Sequence, residues 1–326
     1  MGKVFISDFQ TGDSVEGVFA LSGRTTARKK DGSPFLRLVL ADRTGSINAV
    51  VWDDVEQAEQ VTASNPFVYV KGDVSQYRDA HQLTVKAIAA RDTESVDPAD
   101  FLPVTAQDVN AMFRRILAIT REMQSGHLKA LMEQFWTDDA FVEEKFKRSP
   151  AAKMMHHAYL GGLLEHTLAV AELALVVADR YTDKLDRDML VAGAILHDIG
   201  KAREFVYDYR IDYSDEGRLL GHIAIGMMMV NEKLALLPEF PPDKGLLIKH
   251  MIASHHGSRD LGSPEPPKTL EALVLNHIDE MDSKVTGIGD FMAGHDAGQP
   301  WTGFHRPMER FFYIGGGKAD TDVHHT

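Results

Sequence analysis

Residues 189–201 read MLVAGAILHDIGK, an apolar run of helical length that ends in a histidine, an aspartate and a lysine. Burying an imidazole and a carboxylate at the end of such a helix is costly unless both find partners. A divalent metal ion is such a partner, and the two oxygens of Asp198 could each take one ion. That requires a ligand cluster on either side, and the sequence supplies candidates for two. Of 15 histidines, only His81 and His127 precede residue 150. The candidate ligands are His166 in GGLLEHT, His197 and Asp198, His222 in LGHIAIG, His255 and His256 in ASHHG, and Asp279 in NHIDEMD. Imidazole and carboxylate together suit Mn, Fe, Co or Zn. The chain has no cysteine, which excludes thiolate sites and disulfides. Two ions a few Å apart can hold a phosphodiester, generate the attacking hydroxide and neutralise the leaving oxygen.

Each residue also has a plainer reading. A single helical histidine is usually packed or solvated, so the weight rests on the ordered set. Neighbours on a regular helix diverge, so of His255 and His256 one is expected on a metal and the other on phosphate, with His255 the favoured ligand. His157 is a candidate for the substrate cleft, with His156 beside it. His277 reads as a packing residue or a support for a ligand, and Glu165 either holds water near His166 or is solvated. His81, His127, His295, His305, His324 and His325 read as surface residues. The run Met227–Met229 reads as core filler.

Outward from this region, residues 105–290 carry a helical pattern, in segments near 105–124, 127–147, 151–160, 162–182, 186–200, 218–237, 242–256 and 267–286. Thr105 is expected to cap the first of them. Residues 93–104, TESVDPADFLPV, read as a linker, with two prolines and several acidic residues. Residues 291–326 read as an irregular tail. Residues 1–92 read instead as strands and turns. In PFLRLVLADRTGSINAVVWD, Phe35, Arg37 and Val39 alternate with Leu36, Leu38 and Leu40, and ADRTGS is a turn. A second hairpin follows in PFVYVKGDVSQYRDAHQLTVKAIAA, and five strands suggest a small closed barrel.

The length of 326 residues fits two domains. The net charge is −13, and the first 92 residues are nearly balanced, so almost all of it falls on the remainder. An acidic surface repels polyanions, so a nucleic-acid substrate would need local basic groups and bound cations. No apolar run reaches membrane-spanning length and the N-terminus lacks the apolar block of a secretory signal. The expected location is the cytoplasm, with no membrane partner; homo-oligomerisation is left open.

The pattern H…HD…D at His166, His197–Asp198 and Asp279 resembles the HD-domain phosphohydrolase superfamily, and the added histidines at 222, 255 and 256 resemble its multi-metal branch. HDIGK is similar to that branch too, which implies that Lys201 sits beside the substrate phosphate; otherwise Lys201 is a cation complementing a helix dipole. The DGxGYP signature of cyclic-dinucleotide enzymes is absent after HHG. FLRLVLADRTG in the barrel, followed by HHAYLGGLLEHT, the HDIGK segment and SHHG, resembles the YhaM family of 3′→5′ exoribonucleases over about residues 5–290. That resemblance implies an all-β OB-fold barrel followed by an all-α HD-domain bundle. It also implies hydrolysis of single-stranded RNA, or DNA, to nucleoside 5′-monophosphates, with Asp198 and Lys201 in the chemistry and two ions, Mn first among the candidates.

An OB-fold grips single strands with aromatic platforms and a basic groove. The candidates are Phe35, Trp52, Tyr69 and Tyr77 for stacking, and Arg24, Arg28, Lys29, Lys30, Arg37 and Arg78 for phosphate. The alternative is that the aromatics fill the barrel and the basic loop is merely solvated. Two other functions fit the same residues: a nucleotide phosphohydrolase or cyclic-nucleotide phosphodiesterase regulated by the barrel, and a non-catalytic single-strand-binding protein with a structural metal.

Overall fold

Period-two alternation builds the first half of the computed structural model, which describes residues 4–78, 80–154, 157–295 and 298–315. Five strands, β1 (Ser14–Arg28), β2 (Pro34–Asp42), β3 (Gly45–Val51), β4 (Phe67–Tyr77) and β5 (Ala80–Arg91), close into a barrel in the order β1-β2-β3-β5-β4. All pairings are antiparallel except β3 with β5. Leu36, Leu38 and Leu40 point into the barrel and are almost fully buried, with Phe19, Val68, Val70 and Leu83. Phe35, Arg37 and Val39 take the outer face of β2.

One helix interrupts the strands. Residues assigned to strands and turns include α1 (Val55–Ser64), which plugs the barrel with Val55, Ala58 and Thr62. Its apolar residues are too few for a clear helical stripe, so period alone did not reveal it.

The 93–104 segment is tied down. It forms two 3-10 turns, Thr93–Ser95 and Pro98–Asp100, capped by Asp92 and Asp97. Phe101 and Leu102 are buried, and Phe101 packs against Phe67 of the barrel with ring centroids 4.6 Å apart.

The second half is helical: α2 (Val109–Glu122), α3 (Gly126–Trp136), α4 (Asp139–Phe141), α5 (Gly162–Arg180), α6 (Arg187–Leu196), α7 (Lys201–Glu204), α8 (Asp215–Leu234), α9 (Pro242–Ser254) and α10 (Leu270–Ala293). The packed centre is α5 against α6, with α9 and α10 closing over them. Leu163, Val170, Leu190, Ile195, Ile252 and Leu275 fill the common core. Among the described residues, no helix is long and apolar enough to cross a membrane.

Several local expectations need correction. Asp108, not Thr105, caps α2, accepting from the Ala111 amide at 2.9 Å. The 127–147 helix breaks after Trp136 into α4 and a π turn at Val142–Phe146. The described part of 151–160 is turns and bends. A hairpin of β6 (Phe205–Tyr207) and β7 (Ile211–Tyr213) interrupts the helices. Met227 and Met229 pack on the core, whereas Met228 is exposed.

Candidate functional site

Five elements aim polar side chains at one point. His166 comes from the first turns of α5, and His197 and Asp198 follow α6. His222 follows a kink in α8, where Gly221 has φ 71°, a conformation that favours glycine. His255 ends α9, and Asp279 lies on α10. The chain reverses tightly between Asp198 and α8. A Cβ at Gly200 would lie 2.0 Å from the His222 carbonyl oxygen and 2.6 Å from the Gly226 amide nitrogen, so only glycine lets the two segments touch.

The two oxygens of Asp198 serve different neighbourhoods. Oδ2 lies 3.5 Å from His166 Nε2 and 3.4 Å from His197 Nε2. His166 Nε2 is also 3.1 Å from Asp279 Oδ1. Oδ1 lies 3.5 Å from the Nε2 atoms of both His222 and His255. His166, His197 and Asp198 have ligand atoms close enough to share an ion, and so do His222, His255 and His256. Asp198 Oδ1, His222 Nε2, His255 Nε2 and His256 Nδ1 are buried with no hydrogen-bond partner. Four orphaned buried polar atoms in one cluster are unfavourable in a bare protein. Imidazole nitrogens and carboxylate oxygens are the donor set of a borderline divalent ion, so the residues fit a metal.

The far side of each ring is anchored. His197 Nδ1 and His255 Nδ1 each lie 2.8 Å from a backbone carbonyl oxygen, of Ala194 and Ile252. His222 Nδ1 lies 3.2 Å from Glu204 Oε1, which also accepts from the His222 amide at 2.9 Å. His166 Nδ1 lies 2.7 Å from Asp282 Oδ2. Such contacts choose the tautomer and turn the other nitrogen toward the centre.

The electrostatics follow from this crowding. Burial opposes charge on His166, but Asp279 and Asp282 outweigh it and raise its pKa to about 9. Burial also opposes charge on Asp198, yet Lys201 and the imidazoles hold its carboxyl well below the usual range. Asp279 and Asp282 are likewise pulled down against burial by the histidines they contact. Burial and the neighbouring rings of His255 and His222 push His256 down to about 3, so its ring stays neutral near pH 7. Lys201 donates to Asp198 Oδ2 at 2.6 Å, and Asp198 raises its pKa against the cost of burial.

The six expected ligands converge, and His256 joins them. His255 reaches Asp198 with Nε2, and His256 stands beside it with a ring nitrogen close enough to His222 and His255 to share an ion. The expectation that His157 lines the cleft needs correction. It is buried behind His166, with Nδ1 2.9 Å from the Tyr159 hydroxyl and Nε2 3.3 Å from Asp282 Oδ2. Glu165 is tied to the Thr105 hydroxyl and does not face the site. His277 is exposed and supports no ligand, whereas His305, expected at the surface, is buried against Phe291 and Phe312. His156, His324 and His325 lie outside the described residues. Sequence reasoning missed Asp282 and Glu204. Asp282 could have been found from its spacing, three residues after Asp279 on one helix face; Glu204 has no such signal.

Beside this cluster opens a cleft of about 910 Å³, with Lys201, His222, His255, His256 and Asp279 in its wall. On the barrel, Phe35 stacks on Trp52 at 4.8 Å and 25°. Arg37 lies 5.3 Å from the Phe35 ring, and Lys29 lies 5.6 Å from the Trp52 ring. Trp52, Arg37 and Lys29 form one outward patch over Phe35, which is itself buried. The others lie apart. Arg24 donates to the Glu59 carbonyl on α1 at 3.2 Å, and Arg28 to the Gly32 carbonyl at 3.1 Å. Lys30 is exposed. Tyr69 is bound to Glu16, and Tyr77 stands exposed with Arg78 at the β4–β5 tip.

An HD domain family model matches residues 163–284, and an OB-fold nucleic acid binding domain matches residues 19–89. The chain is 36% identical to the 3′-5′ exoribonuclease YhaM of Bacillus velezensis over 85% of this chain and 87% of that one. The chain belongs to the YhaM family of 3′-5′ exoribonucleases. The YhaM of Bacillus subtilis is 35% identical, with the same shares covered. Among solved structures, the second OB-fold domain of replication protein A from Methanococcus maripaludis matches 29% of this chain and 98% of its own at 23% identity, with a TM-score of 0.23. Membership of the YhaM family, with its HD domain, implies dependence on a divalent metal.

Proposed function

We propose that this protein is a 3′-5′ exonuclease of single-stranded RNA that releases nucleoside 5′-monophosphates and uses two divalent ions, with Mn the first candidate. The observation that carries this reading is the placement of Asp198 between two groups of imidazoles, with its Oδ1 buried and unpartnered. His166, His197, Asp279 and one oxygen of Asp198 would hold one ion. His222, His255, His256 and the other oxygen would hold the second. When bound, the ions would supply charge neutralisation for the phosphodiester and a water acidic enough to attack at neutral pH.

The chain's own groups supply the rest. Lys201, in the cleft wall beside Asp198, is placed to meet a non-bridging phosphate oxygen and to offset the charge that grows on it in the transition state. Glu204 and Asp282 hold the rings of His222 and His166 in place, so little reorganisation accompanies the reaction. The patch of Trp52, Arg37 and Lys29 over Phe35 would grip the upstream strand by stacking and charge.

The test is an end-labelled RNA digest with Mn, run beside a DNA of the same sequence, a set of mononucleotides and a metal analysis. Shortening from the 3′ end with 5′-monophosphate release is expected. Asp198→Ala should lose hydrolysis by at least about 10³-fold while still binding RNA through the barrel. Hydrolysis of mononucleotides alone, or full activity in that variant, would overturn the reading.

A further inference from the structure

We infer that the β6–β7 hairpin is the strand-guiding wall of the cleft, with Tyr213 as a stacking platform for a base flanking the scissile phosphate and Lys153 and Arg218 as phosphate contacts. The inference rests on the RNA reading above and deepens it.

Tyr213 is 38% exposed and lines the same cleft as the metal cluster, together with Lys153 and Phe205. Its ring is backed by Phe205, with centroids 5.3 Å apart and planes 35° from parallel. Lys153 and Arg218 flank it at 5.7 and 5.9 Å from the ring centre. An aromatic ring supported on one side, half-open to a cleft and edged by cations combines the elements of a single-strand subsite.

The cations are held for the purpose. Lys153, Arg218 and Arg210 converge on the carboxylate of Asp212 at 2.9, 2.7 and 3.3 Å. Three cations share one carboxylate here, so positive groups gather beside Tyr213 in a chain of net charge −13, with Asp208, Asp215 and Glu216 near them in sequence. These clustered cations offer a phosphate the local basic partners that the overall charge makes necessary. Lys153 and Arg218 are 38% and 56% exposed, so a phosphate can approach them from solvent while Asp212 keeps its contacts.

The hairpin also reaches the barrel. Tyr209, in its turn, meets Phe67 of β4 edge-on at 6.0 Å, and Phe67 in turn packs on Phe101. The same short element therefore touches the strand-binding domain at its turn and the hydrolytic cleft at its base. A cleft of about 910 Å³ has room for more than one nucleotide, so a base beside the reacting phosphate has a place to stack.

The test uses the full-length, Mn-loaded protein and oligoribonucleotides with 2-aminopurine at the terminal or penultimate 3′ position, their last linkages made resistant as phosphorothioates. Binding to the wild type should quench one of the two labels. Tyr213→Ala should lose that quench and raise KM for the ordinary oligoribonucleotide about tenfold, whereas Tyr213→Trp should keep both near the wild-type level. Unchanged quench and KM in Tyr213→Ala would overturn the inference. So would equal damage from Ala and Trp, which marks a packing role. A wild type that leaves RNA intact would sink the functional reading itself, a result distinct from either of these.

Discussion

His166 shows how much one residue's chemistry depends on its neighbours. Its two nitrogens meet Asp282 on one side and Asp279, His197 and Asp198 on the other, and its pKa rises to about 9. In the metal-free protein the proton on this ring stabilises the fold fully below pH 6.5, the ordinary imidazole value. That contribution is lost as pH rises through about 9. Thermal melts of the metal-free protein should therefore show the gap between wild type and His166→Asn narrowing from pH 6.5 to 9.5. A metal must displace the same proton, so Mn affinity should rise by up to about tenfold per pH unit toward pH 9 and then level off. Calorimetric titrations across that range check it, and a flat profile would show that His166 does not bind the ion. His256, held neutral above about 3, should contribute no such slope.

At the scale of elements, the site depends on contacts that no single element contains. Residues 189–198 announce a buried helix with a polar end, and α6 runs from Arg187 to Leu196 as its pattern requires. The kink at Gly221 and the hairpin 205–213 are not readable in the same way, because their causes are remote. Glu204 reaches both the amide and the ring of His222, and the Glu204 carbonyl accepts from the Ser214 amide at 2.8 Å. Gly200→Ala drives a methyl group into the His222 carbonyl and should destabilise the protein by about 3 kcal/mol, measured as a lowered urea midpoint. Glu204→Gln keeps the shape and removes the charge behind His222. It should weaken binding at the second metal position by about 10- to 100-fold, with unchanged stoichiometry at the first. Equal weakening at both would mean that Glu204 does not act through His222.

For the whole molecule, the question is how an acidic chain handles a polyanion. The positive groups are local: Lys29 and Arg37 on the barrel, Arg210 on the hairpin with Lys153 and Arg218 beside it, and Lys201 in the cleft. Their relative placement depends on the apolar contact of Phe67, Phe101 and Tyr209, and on Arg148 paired to Asp97 at 2.7 Å. Phe101→Ala should cost about 3 kcal/mol at that contact. Proteolysis within residues 93–104 should then quicken, and turnover of a long oligoribonucleotide should fall while that of a dinucleotide holds. Equal loss on both substrates would mean that the contact serves folding alone.

The sequence by itself determined the two kinds of core and most of the residues that converge on the site. Alternation at Leu36, Leu38 and Leu40 and the apolar run before His197 are local patterns, imposed by the periods of strand and helix. His197 and Asp198 were legible because polar groups in apolar settings need partners, and His166, His222, His255 and Asp279 through the resemblance to the HD pattern. Only the tertiary structure decided which oxygen of Asp198 faces which cluster, that His157 stands behind His166, that Asp282 and Glu204 aim the rings, and that the hairpin joins barrel to cleft. Those facts are distances between residues far apart in the chain, set by how helices pack and where glycines let backbones touch, and no local pattern encodes them.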